Sequence, residues 1–367
     1  MDAKAAARIF HDWASGEGLM AAPVAKVDST AQQLLLVQPV TDKGKQLLRT
    51  KQIHAIGFDS ADNKLVVFTR QAAPSSKKAL ALLPDHVDDV EVQYRQGKTA
   101  AIGSEPTTPF GTPPYTIRVS PNGSLYTCGS SISAGNARDA GTMGCLVRNA
   151  AGEIFGLSNN HVSGSCSFAG VGLPILAPGV IDVAPNGLNP FTIGLHHTSL
   201  PLVTGDPGNV DHTANRDSAI FKIVDPARVS SFQGDAYDTP ATAGSIAAGM
   251  IVEKYGRTTG LTKGRVVSEI FGAHPIQYAA PQYGFSGIVC FEPVFAIVGE
   301  NTIFSDNGDS GSLITTVDPA TGIRSAVGIV VGGMHDGSAP GKRTTIALAI
   351  DPVLAGFGLT LVTGHNV

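Results

Sequence analysis

Asp306-Asn307-Gly308-Asp309-Ser310-Gly311-Ser312-Leu313 is the stretch on which the reading of this chain turns. A serine hydroxyl is a poor nucleophile until a base takes its proton, and attack on a carbonyl creates an oxyanion that needs donors already in place. Gly308 and Gly311 flank Ser310 without side-chain obstruction and permit unusual backbone angles. The amides of Gly308 and Ser310 can then converge on one point. Read alone, the stretch also fits a glycine-rich turn with an incidental serine.

Two upstream segments supply what Ser310 lacks. In Gly156-Leu157-Ser158-Asn159-Asn160-His161-Val162 a histidine directly follows an apolar strand and opens a Ser/Gly loop. Its imidazole can accept and return a proton near neutrality. In Asn215-Arg216-Asp217-Ser218-Ala219-Ile220-Phe221 an acid stands just before an apolar strand, where it can sit behind an imidazole and fix its tautomer.

Together the three segments resemble the trypsin/chymotrypsin-like serine peptidases, whose chain order is His, Asp, Ser. The resemblance implies a mostly β fold of two antiparallel six-stranded barrels. It also implies peptide hydrolysis, with Ser310 as nucleophile, His161 as base and then acid, Asp217 as orienter, and an oxyanion hole at the Gly308 and Ser310 amides. Tyr255–Val266 is similar to the strand-loop-strand that opens the second barrel in bacterial members, and Ala326–Gly333 to the substrate-binding strand after the nucleophile. The family's pocket base lies six residues before the nucleophile, here Phe304, with Val331 and Gly332 on one wall. An apolar base disfavours a Lys or Arg side chain before the scissile bond. Ser312 and the Asn-Asn-His-Val context depart from the animal digestive enzymes and look like bacterial subgroups. In secreted relatives a disulfide crosses the loop that Cys145 and Cys166 flank.

Composition fits this picture. Hydrophobic residues make up 43% of the 367 and charged residues 15%, as in a compact protein with no long disordered arm. The net charge of −4 gives no electrostatic case for nucleic acid or an anionic membrane. The N-terminal residues lack a signal-peptide core, and no run reaches the roughly 20 apolar residues of a membrane span. Cys128, Cys145, Cys166 and Cys290 form no CxxC pair. We expect a cytoplasmic protein with free thiols, no cofactor and no metal. His196, His197, Asp211 and His212 lack a regular ligand spacing.

Residues 1–102 read as a small α+β amino-terminal domain. Ile9, Phe10 and Trp13 suit one face of a short helix. Strands fall at Ile53–Asp59, Lys64–Arg70 and Val90–Tyr94, and a helical run at Lys77–Leu83 is closed by Pro84. Pro, Thr and Gly crowd residues 103–114, a linker, and 115–367 carry short apolar runs between turns, the texture of closed barrels. The first domain is left open as an inhibitory pro-segment, a docking domain or a stabilising appendage.

An α/β-hydrolase is disfavoured, because it needs G-x-S-x-G and the order Ser, Asp, His. The remaining alternative is a peptidase-like binding module without catalysis. A protein or peptide substrate, cleaved by a regulatory enzyme of narrow range, is the expected partner. Limited proteolysis is expected to cut between Ala101 and Tyr115 and to spare the strands. Attack on 170–215 in preference would displace the boundary.

Overall fold

The computed structural model describes residues 1–21, 29–101, 109, 113–121 and 123–367. Most of the expected 103–114 linker lies outside the described residues. The architecture is mostly β, as the sequence indicates.

Helix α1 (Ala3–Gly16) starts at Asp2, whose carboxylate accepts from the Ala5 amide at 2.7 Å. It buries Ala3, Ala6, Ala7, Phe10 and Ala14, the spacing that puts one apolar stripe on a neighbour. A second helix, α2 (Asp42–Lys51), was not apparent from the sequence. Strands β1 (Ile53–Asp59) and β2 (Lys64–Thr69) pair antiparallel, and β3 (Val90–Gln96) joins β2 in parallel. A short strand, β4 (Lys98–Thr99), follows. The helical run after Ser76 is only Lys77–Leu80.

Six strands form the next unit: β5 (Ser131–Ala134), β6 (Cys145–Arg148), β7 (Ile154–Ser158), β8 (Pro174–Ala177), β9 (Phe191–Ser199) and β10 (Ala219–Ile223). They pair in the order β6-β7-β10-β9-β8-β5. Its two ends are linked by Gly141–Thr142, which pairs with β5 and leads into β6.

The second ring closes fully through ladders. Its strands are β11 (Ile251–Gly256), β12 (Gly260–Ile270), β15 (Val294–Gly299), β16 (Leu313–Val317), β17 (Arg324–His335) and β18 (Arg343–Ala349). Their order is β11-β16-β17-β18-β15-β12, with β12 back on β11. Closure removes the exposed edges that an open antiparallel sheet presents. Between β12 and β15 a separate hairpin is inserted, β13 (His274–Ala280) and β14 (Phe285–Phe291).

The amino-terminal sheet continues the second ring, because β1 pairs with β12 (Gly57 with Ile270, Phe58 with Glu269). Both its faces are covered. Ile53, Ile56, Phe58, Leu65 and Val67 pack under the helices, whereas Ala55, Val66 and Phe68 join a core containing Ile270, Tyr278 and Phe291. No helix, among the described residues, is long and apolar enough to cross a membrane.

His54 of β1 and His274 of β13 meet at this junction, ring centroids 5.4 Å apart, with Thr99 Oγ1 between their Nε2 atoms at 2.6 and 3.1 Å. Burial lowers the pKa of His54 to about 4 and of His274 to about 3; Arg70 acts in the same direction on the first and His54 on the second. Both are therefore neutral in the folded protein at pH values where the unfolded chain binds a proton. Stability is fully present above about pH 6.5 and falls as the pH drops toward 4 and then 3, by on the order of 3–5 kcal/mol per imidazole. Urea unfolding at stepped pH checks this. His274→Gln should flatten the decline between pH 6.5 and 4 by about one proton, and an unchanged slope would refute the assignment.

Candidate active site

Strand β7 ends at Ser158, and Asn159 starts the helical turn Asn160–Ser163 that carries His161. Asn159 Nδ2 donates to the Asp217 carbonyl at 2.6 Å, tying this turn to the segment before β10. The fully buried Asp217 carboxylate accepts from the His161 amide at 3.0 Å and faces His161 Nδ1 at 2.5 Å. With Nδ1–H turned to a carboxylate, the lone pair of a neutral imidazole is left on Nε2.

A third group reaches the same carboxylate. Tyr278 Oη, on the β13–β14 hairpin, donates to Asp217 Oδ2 at 3.0 Å, and its ring lies 5.8 Å from the His161 ring. Burial, and then the negative charge of Asp217, push the Tyr278 pKa well above its ordinary value, so it remains a donor. Sequence reasoning missed Tyr278, because it stands in an alternating strand with no motif around it.

Ser310 is presented by a loop shaped by Asp309. That buried carboxylate accepts from the amides of Thr258 (2.8 Å), Thr259 (3.2 Å) and Asp306 (2.9 Å) and from Thr259 Oγ1 (2.7 Å). Lys254 Nζ, itself buried, lies 3.6 Å away. Gly308 and Gly311 have φ of +101° and +95°, and a Cβ on Gly311 would come within 2.3 Å of the Thr142 carbonyl. Only glycine is unstrained in such a position.

Thr142 connects this loop to β7. Its amide donates to the Ser310 carbonyl at 2.9 Å and its hydroxyl to the Gly308 carbonyl at 2.9 Å, while its own carbonyl accepts from Ser158 Oγ at 2.7 Å. His161 and Asp217 are thus in direct contact, and Ser310 is held near them through Thr142 and Ser158. The Ser310 hydroxyl itself donates to the Val331 carbonyl at 3.1 Å. Among the described residues no hydrogen bond joins Ser310 to His161, and the amides of Gly308 and Ser310 have no acceptor.

Phe304, expected at a pocket base, is enclosed in the second ring among Val252, Val266, Ile297 and Ile314. The side chains around the same loop are polar: Ser305 Oγ meets Thr345 Oγ1 at 2.6 Å, and Arg343 bonds Asp306 and Asn307, each at 3.1 Å. Arg343 packs where a Cβ on Gly333 would stand. Val331 and Gly332 are buried on β17 beside a ladder irregularity.

All four cysteines are buried and free. Burial pushes the Cys166 thiol far up and the Cys128 thiol up to about 12. Among the described residues no three His, Cys, Asp or Glu side chains group as metal ligands. His212 Nε2 contacts Glu292 at 3.0 Å, and Asp211 accepts from Thr213 in its own turn.

The arrangement is a two-ring β fold with an imidazole–carboxylate pair and a serine loop at the junction of the rings. Comparison places it among known proteins only loosely. The family model described as the Nal1 C-terminal domain matches residues 234–343, a span that contains Ser310 and neither His161 nor Asp217. No curated protein matches the chain. Among solved structures it is similar to Thermobifida fusca protease A, at 20% identity over 65% of this chain and 98% of that one, with a TM-score of 0.41. It is also similar to a Nocardiopsis protease (20%, 64% and 97%, TM-score 0.39) and to a Cellulomonas bogoriensis chymotrypsin (17%, 65% and 98%, TM-score 0.40).

Tyr278→Phe removes one donor from the buried carboxylate while keeping the ring. We expect a loss of about 1.5–3 kcal/mol in urea unfolding, the range for a hydrogen bond to a charged group. In the double mutant with Asp217→Ala the losses should be clearly less than additive. Additive losses would mean that the two side chains do not interact.

Proposed function

We propose that the chain is a serine endopeptidase that hydrolyses peptide bonds through an acyl-enzyme, with His161, Asp217 and Ser310 as its triad. The observation that carries this reading is the His161–Asp217 contact, which leaves the imidazole lone pair on Nε2, at a site where the Ser310 loop holds two amides without acceptors among the described residues.

The chemistry follows from those groups. For attack, the Ser310 hydroxyl leaves the Val331 carbonyl and gives its proton to His161 Nε2 as Oγ bonds the substrate carbonyl carbon. Contacts of this kind often tighten only when substrate is bound. Asp217 then stabilises the imidazolium, and the Gly308 and Ser310 amides receive the oxyanion. His161 returns the proton to the leaving amine, and water repeats the sequence on the ester. Val331 and Gly332 belong to this reading as the wall beside the residue being cleaved, while Phe304 supports the loop from within the ring.

In this proposal residues 1–102 form an amino-terminal domain, 103–114 a linker and 115–367 the peptidase domain. The substrate is a protein or peptide of narrow range. Four free thiols suit a reducing compartment such as the cytoplasm.

A second reading, a peptidase-like binding module, is favoured by one observation, the Ser310 hydroxyl turned to Val331. A fluorophosphonate separates the two. Only an activated serine reacts rapidly, and intact mass shows one adduct that Ser310→Ala abolishes. Ser310→Ala and His161→Ala should each lower kcat by on the order of 10⁴–10⁶ without additivity, and Asp217→Asn by about 10⁴ near neutral pH. Substantial turnover by folded Ser310→Ala protein refutes the peptidase reading.

A further inference from the structure

Strand β17 outlasts one of its two neighbours. On one side β18 accompanies it as far as His335, opposite Arg343. On the other side β16 begins only at Leu313, whose partner is Ile329. The preceding residues leave the ladder through two last bonds, Val330 N to the Ser312 carbonyl (3.0 Å) and Gly311 N to the Val330 carbonyl (2.9 Å). Ser310 comes next, with Oγ 3.1 Å from the Val331 carbonyl. Beyond Val331, therefore, β17 has an edge that the barrel itself does not pair. That edge starts at the serine.

The edge is not empty. Strand β4 lies on it antiparallel, Lys98 opposite His335 and Thr99 opposite Met334, and the Ala100 amide donates to the Gly333 carbonyl at 2.9 Å. Each step along this segment moves one position nearer Val331: from His335 to Met334 to Gly333. Gly333 is two residues from Val331, about 7 Å along a strand.

The segment is held firmly. Arg95 pairs with the buried Asp336 at 2.9 Å, and Gln96 Oε1 accepts from the Gly337 amide at 3.1 Å. Thr99 Oγ1 is fixed between His54 and His274. The anchors tie the residues just before Ala100 both to the end of β17 and to the amino-terminal sheet.

An extended peptide brought to Ser310 finds its main-chain partners on this same edge, because unpaired strand edges bind peptides by adding a strand. We propose that Lys98–Ala100 is a built-in occupant of the edge used by extended peptide substrates, so that the full chain is restrained until a substrate displaces it. The proposal rests on the peptidase reading. It gives the amino-terminal unit an inhibitory role and makes substrate recognition depend on the main chain of an extended segment.

The test uses the full chain, a fluorogenic peptide selected from a library for turnover, and a small fluorophosphonate that needs no strand edge. Ala100→Pro removes the N–H that bonds Gly333, and Ala100→Gly keeps it. For Ala100→Pro, kcat/KM for the peptide should rise about five- to tenfold through a lower KM, the size expected for loss of one competing hydrogen bond. Labelling of Ser310 should change less than twofold, and Ala100→Gly should match the parent. An unchanged KM in a folded, labelled Ala100→Pro protein overturns the proposal and leaves the peptidase reading intact. Absence of labelling in all three proteins removes both.

A measurement without substitution covers failure of the proline variant to fold. The Ala100 amide should be protected from hydrogen exchange, and a peptidyl phosphonate bound at Ser310 should abolish that protection. Protection retained in fully labelled protein also overturns the proposal.

Discussion

Asp309 has no contact with water, and a carboxylate in that position is costly unless its charge is answered from within the protein. The answer comes from the β11–β12 hairpin: the Thr258 and Thr259 amides, the Thr259 hydroxyl and the Lys254 ammonium. Burial lowers the Lys254 pKa and Asp309 raises it again. The loop 306–311 can take its shape only where that hairpin is already formed. The positive φ values at Gly308 and Gly311 then follow as the backbone wraps the carboxylate.

The second buried carboxylate is compensated differently. Among the described residues the Asp217 carboxylate has no permanent cation as a partner and bonds the His161 amide and imidazole and the Tyr278 hydroxyl. Its charge therefore remains available to stabilise an imidazolium when one forms, whereas the charge of Asp309 is already answered. In the proposed triad this difference sets Asp217 apart from Asp309, although both are fully buried aspartates. Thr142 spans the gap between them. It bonds the carbonyls of Gly308 and Ser310 and accepts from Ser158, three residues before His161.

What could be read from the sequence were features whose chemistry is local. Gly308 and Gly311 announce a backbone only glycine adopts, and His161 and Asp217 border apolar strands that the structure places at the same end of the first unit. Features set by tertiary contacts were not legible. Tyr278 reaches Asp217 across 61 residues from a hairpin whose position no local pattern encodes. Phe304 has the expected spacing from Ser310, yet spacing does not say which way a ring turns, and its apolar surface is buried with the barrel core. Helix α2, Asp-Lys-Gly-Lys-Gln-Leu-Leu-Arg-Thr-Lys, buries only Gly44 and Leu48, so its apolar periodicity is too weak to mark it.

The amino-terminal sheet was expected as a separate small unit, and its pairing with β12 shows why its fate is bound to the second ring. Ala55, Val66 and Phe68 complete an apolar layer with Ile270, Tyr278, Phe291 and Val294. Pulling the whole unit away would bare that layer, including the ring that supports Asp217, at a cost that scales with apolar area. Peeling off β4 alone breaks a two-residue ladder, the neighbouring Ala100–Gly333 bond and the contacts of Thr99 with His54 and His274, and bares little of that layer. Local openings draw on the least stable contacts first. On the proposal that Lys98–Ala100 covers the substrate edge, displacing the short strand would free that edge while the layer beneath it stays closed, and would leave the Tyr278–Asp217–His161 contacts in place.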